Sequence, residues 1–294
     1  MNRIAPSLLL LAWLAAGPSP APAATSAGKP RVVTSLLPLY CLTKQIAGDG
    51  IAVDNLLVPG TDAHDFQFTR RERDLLDRAQ LVVVNGLGME PWLRGALRRS
   101  SPGVKVLEAA AGLDPVAATG LPPNPHVWLD PLLACRMVTN ILTALQALEP
   151  RGSDFFAANA SGLVARLEAL HRELQATLEP CRGAGMVTHH DAFAHFARRY
   201  DLRVVGVIEE VPDIDPSPRH LSKLRQIIAS EHVRAIFVEP QHPNRLARQL
   251  GRDLGLAVAP LDTLESGPAR PEAYEEGMRS NARVLREYLP KTSP

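Results

Sequence analysis

The chain has 294 residues, 46% of them hydrophobic, enough for one large core or for two lobes of ordinary domain size. Its 32 Lys and Arg nearly balance 31 Asp and Glu, leaving a net charge of +1, so composition argues against nucleic-acid binding and against an electrostatic membrane patch. The 20 Gly and 26 Pro follow no collagen-like or low-complexity period.

The first residues read as a secretory signal. Arg3 supplies a short positive region, Leu8 to Ala16 an apolar run, and Ala21-Pro22-Ala23 an A-x-A cleavage site. The run falls short of the roughly 20 residues a spanning helix needs, so cleavage is expected rather than anchoring. With no Cys at its end, a lipid-anchored mature terminus is not expected. The mature chain should begin near Ala24, and no later stretch is expected to span a bilayer. Cys41, Cys135 and Cys181 are an odd number without CxxC spacing. Buried small hydrophobes are the reading for Cys41 and Cys135, and oxidation of Cys181 stays open.

A βα alternation starts after residue 30. Strands are expected at Arg31 to Ser35, Ile51 to Val58, Leu81 to Asn85 and Val104 to Leu107, with helices at Tyr40 to Ala47 and Arg71 to Ala79. The last two strands are continuous apolar runs of the kind buried on both faces, which argues for a parallel sheet covered by helices. A Pro- and Gly-rich loop runs from about Gly112 to Val127. Asp130-Pro131 then reads as a helix N-cap with Pro at the first helical position, followed by the stripe Leu133, Met137, Ile141 and Leu145. From Asp154 to Leu178, Leu163, Leu167, Leu170, Leu174 and Leu178 recur at helical spacing. A helix of about 25 residues at roughly 1.5 Å each spans nearly 40 Å, enough to run along two lobes. After Gly183-Ala184-Gly185 the alternation restarts and ends in a helix at Glu272 to Tyr288. The segments are therefore a signal peptide at 1–23, an N-terminal lobe at 24–150, a linking helix at 151–181 and a C-terminal lobe at 182–294.

Four candidate ligands sit where strands or loops end. His64 follows a strand, His126 precedes a helix, His190 lies at a strand-to-helix junction and Asp262 follows Pro260-Leu261. Ligands of open α/β sheets bind outside the carboxyl ends of the strands. Three imidazoles and a carboxylate suit Zn²⁺. The segments His64-Asp65-Phe66, His126-Val127-Trp128-Leu129-Asp130-Pro131, His190-Asp191-Ala192-Phe193, Pro216-Ser217-Pro218, Glu239-Pro240-Gln241 and Pro260-Leu261-Asp262 occur in that order.

Together these segments resemble the metal-specific solute-binding proteins of bacterial ABC transporters, zinc-uptake branch, over nearly the whole mature chain. The resemblance implies an α/β fold of two lobes, each a mainly parallel sheet flanked by helices, joined by one long rigid helix. It implies one Zn²⁺ in the cleft, held by His64, His126, His190 and Asp262, and delivery to the membrane permease of an ABC importer by a periplasmic monomer. Phe68 stands where relatives often have Pro, and Leu261-Asp262-Thr263-Leu264-Glu265 stands where they often read LDPLG, which leaves Glu239 and Glu265 as rivals to Asp262. No His lies between Gly112 and Pro125, so no auxiliary metal-collecting loop is expected there.

Asp65, Asp130 and Asp191 are candidates to accept the N–H of a ligand imidazole, although Asp130 reads equally as a plain cap. His189 should face away from His190, because adjacent strand residues point to opposite faces. His171 is expected in solvent, and His195, His220, His232 and His242 on the surface. The alternatives are an exported zinc hydrolase, a manganese- or iron-binding member of the same carrier family, and a chelate- or haem-binding relative. Neither HExxH nor GxSxG occurs, and four protein ligands would close a site that a catalytic zinc keeps open.

Overall fold

The computed structural model describes residues 28–61, 63–64, 66–97, 104–117, 122–211, 214–242 and 245–289. The signal segment at 1–23 and the candidate Asp65 lie outside these residues. The first sheet comprises β1 (Arg31–Thr34), β2 (Ala52–Asn55), β3 (Leu81–Val84) and β4 (Lys105–Glu108). The second comprises β5 (Gly185–Thr188), β6 (Arg203–Val207), β7 (Ala235–Val238) and β8 (Ala257–Pro260). All pairings are parallel, in the orders β2-β1-β3-β4 and β6-β5-β7-β8, so the two sheets share one topology.

Parallel neighbours require crossovers, which helices supply. These are α1 (Leu37–Ala47), α2 (Arg70–Leu76) and α3 (Leu93–Leu97) in the first lobe. In chain order α4 (Pro131–Leu148) and α5 (Ser153–Leu178) then separate the sheets. The second lobe uses α6 (Ala194–Arg199), α7 (Pro218–Ser230), α8 (Arg245–Leu254) and a final α9 (Ala273–Tyr288). In each sheet the strand order reverses beside the first strand, which opens a crevice at the carboxyl ends of β1 and β3, and of β5 and β7.

The linking helix α5 is continuous over 26 residues, about 39 Å long. All five leucines of its stripe are buried. They pack against α4, α1 and α9, so the last helix of the chain returns to the spine and to the first lobe. One continuous apolar core results, running from Val32 and Leu42 through Leu163 and Leu170 to Met186, Phe196, Tyr274 and Leu285. The opposite face of the second sheet, with Val187 and Ile236, packs in a smaller cluster with Leu224, Ile228 and Leu250.

Hydrogen bonds also staple residues 263–274 of the second lobe to the first. Leu37 N donates to Glu265 O (3.0 Å), Trp128 Nε1 to Thr263 O (2.8 Å), Tyr274 Oη to Trp128 O (2.6 Å) and Gln45 Nε2 to Pro271 O (2.8 Å).

Two expectations change. The run at Val104 to Leu107 is not buried on both faces: β4 is an edge strand with Lys105 exposed and Val106 47% exposed. Helix α4 is long and apolar enough to cross a membrane by length and composition, contrary to the expectation that no such stretch follows the signal. It lies against α5 with Leu133, Met137, Ile141 and Leu145 buried, the packing of a core helix. Cys41, Cys135 and Cys181 form no disulfide.

Candidate metal centre

Local structure aims four side chains at one point. His64 follows Ala63, whose carbonyl accepts from Trp92 Nε1 at 2.8 Å. Phe66 and Phe68 pack on Trp92 with ring centroids 4.7 and 5.6 Å away, so Phe68 serves to anchor the His64 loop. His126 opens a tight turn at Val127–Leu129 in which Trp128 is fully buried. Asp130 then caps α4, accepting from Leu132 N at 2.9 Å. His190 follows β5 and is turned inward by Thr188, whose Oγ1 donates to His190 O at 2.8 Å.

The carboxylate in this cluster is Glu265, not Asp262. His64, His126, His190 and Glu265 each present one donor atom, all within 4.8 Å of one another. His126 Nε2 lies 3.2 Å from His190 Nε2 and 3.3 Å from Glu265 Oε1. Ligands about 2.0–2.1 Å from a tetrahedral zinc are separated by about 3.3 Å, and these two spacings match that separation. His126, His190 and Glu265 are buried, whereas half-buried His64 lies at the opening. That opening is a cavity of ≈ 430 Å³ whose lining includes Pro122, Asn124, Asp191 and Glu210.

Asp262 fails to join because its own turn occupies it. Its Oδ1 accepts from Leu264 N at 2.8 Å, and its backbone N donates to Asn281 Oδ1 at 2.9 Å. Leu264 adopts a left-handed φ of 62°, which redirects the chain and swings the longer Glu265 toward the histidines. The Leu264 side chain rests on Gly277 of α9, where a Cβ would overlap it.

Glu239 lies behind His190 rather than among the clustered donors. Its Oε1 sits 2.5 Å from His190 Nδ1, while Gln241 Nε2 donates to its Oε2 at 3.0 Å. Burial opposes charge on His190, but Glu239 overrides burial and pushes the imidazole up to about 9. Burial likewise raises Glu239, but His190 and His242 together hold it well below the usual carboxylate range. Both shifts favour an ionic His190–Glu239 pair, whose His190 Nε2 lies 3.2 Å from His126 Nε2.

Other expected roles shift. Asp130 orients no ligand imidazole: besides capping α4 it binds Arg199 Nε through both oxygens at 2.9 and 2.8 Å. Asp191 is exposed, and its backbone carbonyl accepts from Asn124 Nδ2. His195 is fully buried rather than superficial, with Nε2 3.0 Å from Asn124 O. His242 is not a surface residue either; it stacks on His189 at 4.6 Å and approaches Glu239 at 3.4 Å. His220 is half-buried, with Nε2 2.8 Å from Val207 O, and His171 lies 3.5 Å from Tyr200 Oη. His189 borders a separate cavity of ≈ 670 Å³ with Glu209 and Arg245.

The model of the ZnuA family, described as zinc-uptake complex component A, periplasmic, matches residues 32–288. The high-affinity zinc uptake system protein ZnuA of Bacillus subtilis strain 168 is 28% identical over 97% of this chain and 96% of its own length. A crystal structure of a ZnuA deletion mutant with zinc bound superposes at a TM-score of 0.81, with 26% identity over 90% of this chain and 100% of that one. The solute-binding protein FpvC of Pseudomonas aeruginosa, solved with Mn²⁺, gives 0.81 and 28% over 88% and 98%. The two like sheets, the spine between them and a closed three-histidine, one-carboxylate cluster agree with that match, and the chain belongs to the ZnuA family of periplasmic zinc-uptake components.

Proposed function

We propose that this chain captures one Zn²⁺ through His64, His126, His190 and Glu265 and hands it to the membrane permease of an ABC importer. The observation that carries this reading is the cluster itself, three imidazole nitrogens and one carboxylate oxygen converging within 4.8 Å. Four protein donors complete a tetrahedral zinc and leave no position for a reacting water. The chain is a transport component, not an enzyme.

Within this reading Glu239 fixes His190 with Nε2 facing the ion. The stapled segment 263–274 and the helix α5 hold the lobes at one separation. Residues 1–23 act as a cleaved signal peptide, the mature protein works outside the cytoplasm as a monomer, and the lobes divide at 24–150 and 182–294 about the spine.

Metal analysis of protein purified without added metal should find one zinc per chain. Competition titration should rank zinc above manganese, because imidazole suits Zn²⁺ while Mn²⁺ favours oxygen donors and stands lower in the affinity order. His190→Glu should narrow that gap. Tighter holding of manganese than zinc by the unaltered protein would refute the proposal.

A further inference from the structure

Asn124 stands two residues before His126, and each of its polar groups is engaged. Its backbone N donates to Val116 O at 2.8 Å. Its Oδ1 lies 3.0 Å from the backbone N of His126 and 3.0 Å from Nδ1 of the same residue. Its Nδ2 reaches Asp191 O at 2.5 Å, and its carbonyl lies 3.0 Å from His195 Nε2.

The polarity of these bonds follows from groups whose roles do not vary. A backbone N–H only donates, so the atom of Asn124 facing His126 N is the amide oxygen. An amide oxygen only accepts, so the His126 Nδ1 beside it carries the proton. In the neutral imidazole the lone pair is then on Nε2, the atom 3.2 Å from His190 Nε2 and 3.3 Å from Glu265 Oε1. The other end of the carboxamide donates to a backbone carbonyl, which likewise only accepts. Two of the four partners, Asp191 and His195, belong to the second lobe, and Asp191 adjoins His190.

We infer that Asn124 is a positioning residue for metal capture: its carboxamide sets the tautomer of His126 and ties the His126 loop across the cleft to the segment bearing His190. This rests on the reading of His126 as a ligand. A metal-ligating imidazole takes its orientation and tautomer from the acceptor on its other nitrogen, and losing such a partner typically costs about 10–100-fold in affinity. His190 meets that need with a carboxylate, Glu239, and His126 meets it with a neutral amide that also spans the lobes.

The test combines imidazole ¹⁵N shifts of the zinc-free protein with zinc competition titrations on Asn124→Ala, Asn124→Asp and His126→Ala. The unaltered protein should show His126 protonated at Nδ1. Asn124→Ala should lose that tautomer preference and weaken zinc by about 10–100-fold. Asn124→Asp keeps an acceptor for His126 and should restore both the tautomer and most of the affinity. Finding His126 protonated at Nε2 in the unaltered protein overturns the inference without recourse to any variant. So does an Asn124→Ala protein that loses zinc with the tautomer unchanged, or one that binds zinc normally while His126→Ala does not. Full zinc affinity in His126→Ala would instead refute the ligand assignment on which the inference stands.

Discussion

The two sheets share one strand order, yet only one of the two crevices they create contributes to the cluster. At the second, His190 leaves β5 and Glu239 leaves β7, and their side chains meet at 2.5 Å. At the first, Ser35 follows β1 and Asn85 follows β3, and the crevice is closed by Glu90. That carboxylate accepts from Ser35 Oγ (2.7 Å), Asn85 N (2.7 Å) and Gly86 N (3.2 Å). Burial raises the Glu90 carboxyl despite these donors, whereas His190 and His242 carry Glu239 the other way. A crevice given by topology thus becomes part of a site only when its polar groups are not consumed by its own strand ends. The first lobe brings its members of the cluster from elsewhere, His64 from the loop after β2 and His126 from the loop before α4.

The largest effect should separate the two carboxylates of the 262–265 turn. Glu265→Gln should weaken zinc by more than the roughly 10–100-fold typical of an orienting partner, because the charge of the proposed ligand is removed. Asp262→Asn should cost less, acting only through the Leu264 turn. The reverse order in competition titrations would return the ligand role to Asp262.

Next come the two crevice glutamates. Glu239→Gln should weaken zinc about 10–100-fold and alter its pH dependence. Under the proposed ligation zinc displaces the His190 proton, so affinity should climb with pH up to about 9, roughly tenfold per unit for that proton. Without the Glu239 charge the break should move to lower pH. The folding signs follow the same shifts. The raised His190 stabilises the metal-free fold below the ordinary imidazole value of about 6.5, and this is lost as pH rises through about 9. The depressed Glu239 stabilises it above the ordinary carboxylate range, and this is lost as pH falls through its folded value. Glu90→Gln should leave zinc affinity unchanged and cost about 1–3 kcal/mol in denaturant unfolding, because its amide would face the Gly86 N–H. Loss of zinc in Glu90→Gln would erase the contrast between the crevices.

Zinc at 100 times its Kd should stabilise the fold by about 2.7 kcal/mol, measured by thermal unfolding. It should do so without compaction in solution scattering, given the spine and the stapled 263–274 segment. The smallest effect belongs to His189→Ala. That side chain stacks on His242 and approaches Glu209 at 3.4 Å, away from the cluster, so zinc affinity should change less than about threefold. A large loss would mean that the His189–His242 stack supports Glu239 more strongly than the geometry implies.

What is written in local periodicity was legible in the chain itself. The alternation of apolar runs with helical stripes specified both sheets, the five leucines specified α5, and Asp130-Pro131 specified the start of α4. The motifs around His64, His126 and His190 marked the three imidazoles that the fold gathers. The choice of Glu265 over Asp262 was not local. It depends on Leu264 holding a φ of 62° against Gly277, and on the hydrogen bond from Leu37 N to Glu265 O that joins the lobes. Asp130 could not be told from an imidazole partner until Arg199, 69 residues away, bound it. The burial of His195 and the double tie at Asn124 arise only where the lobes meet. Sequence pattern determines which faces are apolar and where strands end. Which polar groups at those ends find partners, and which converge on a shared point, is decided by contacts between segments that no periodicity encodes.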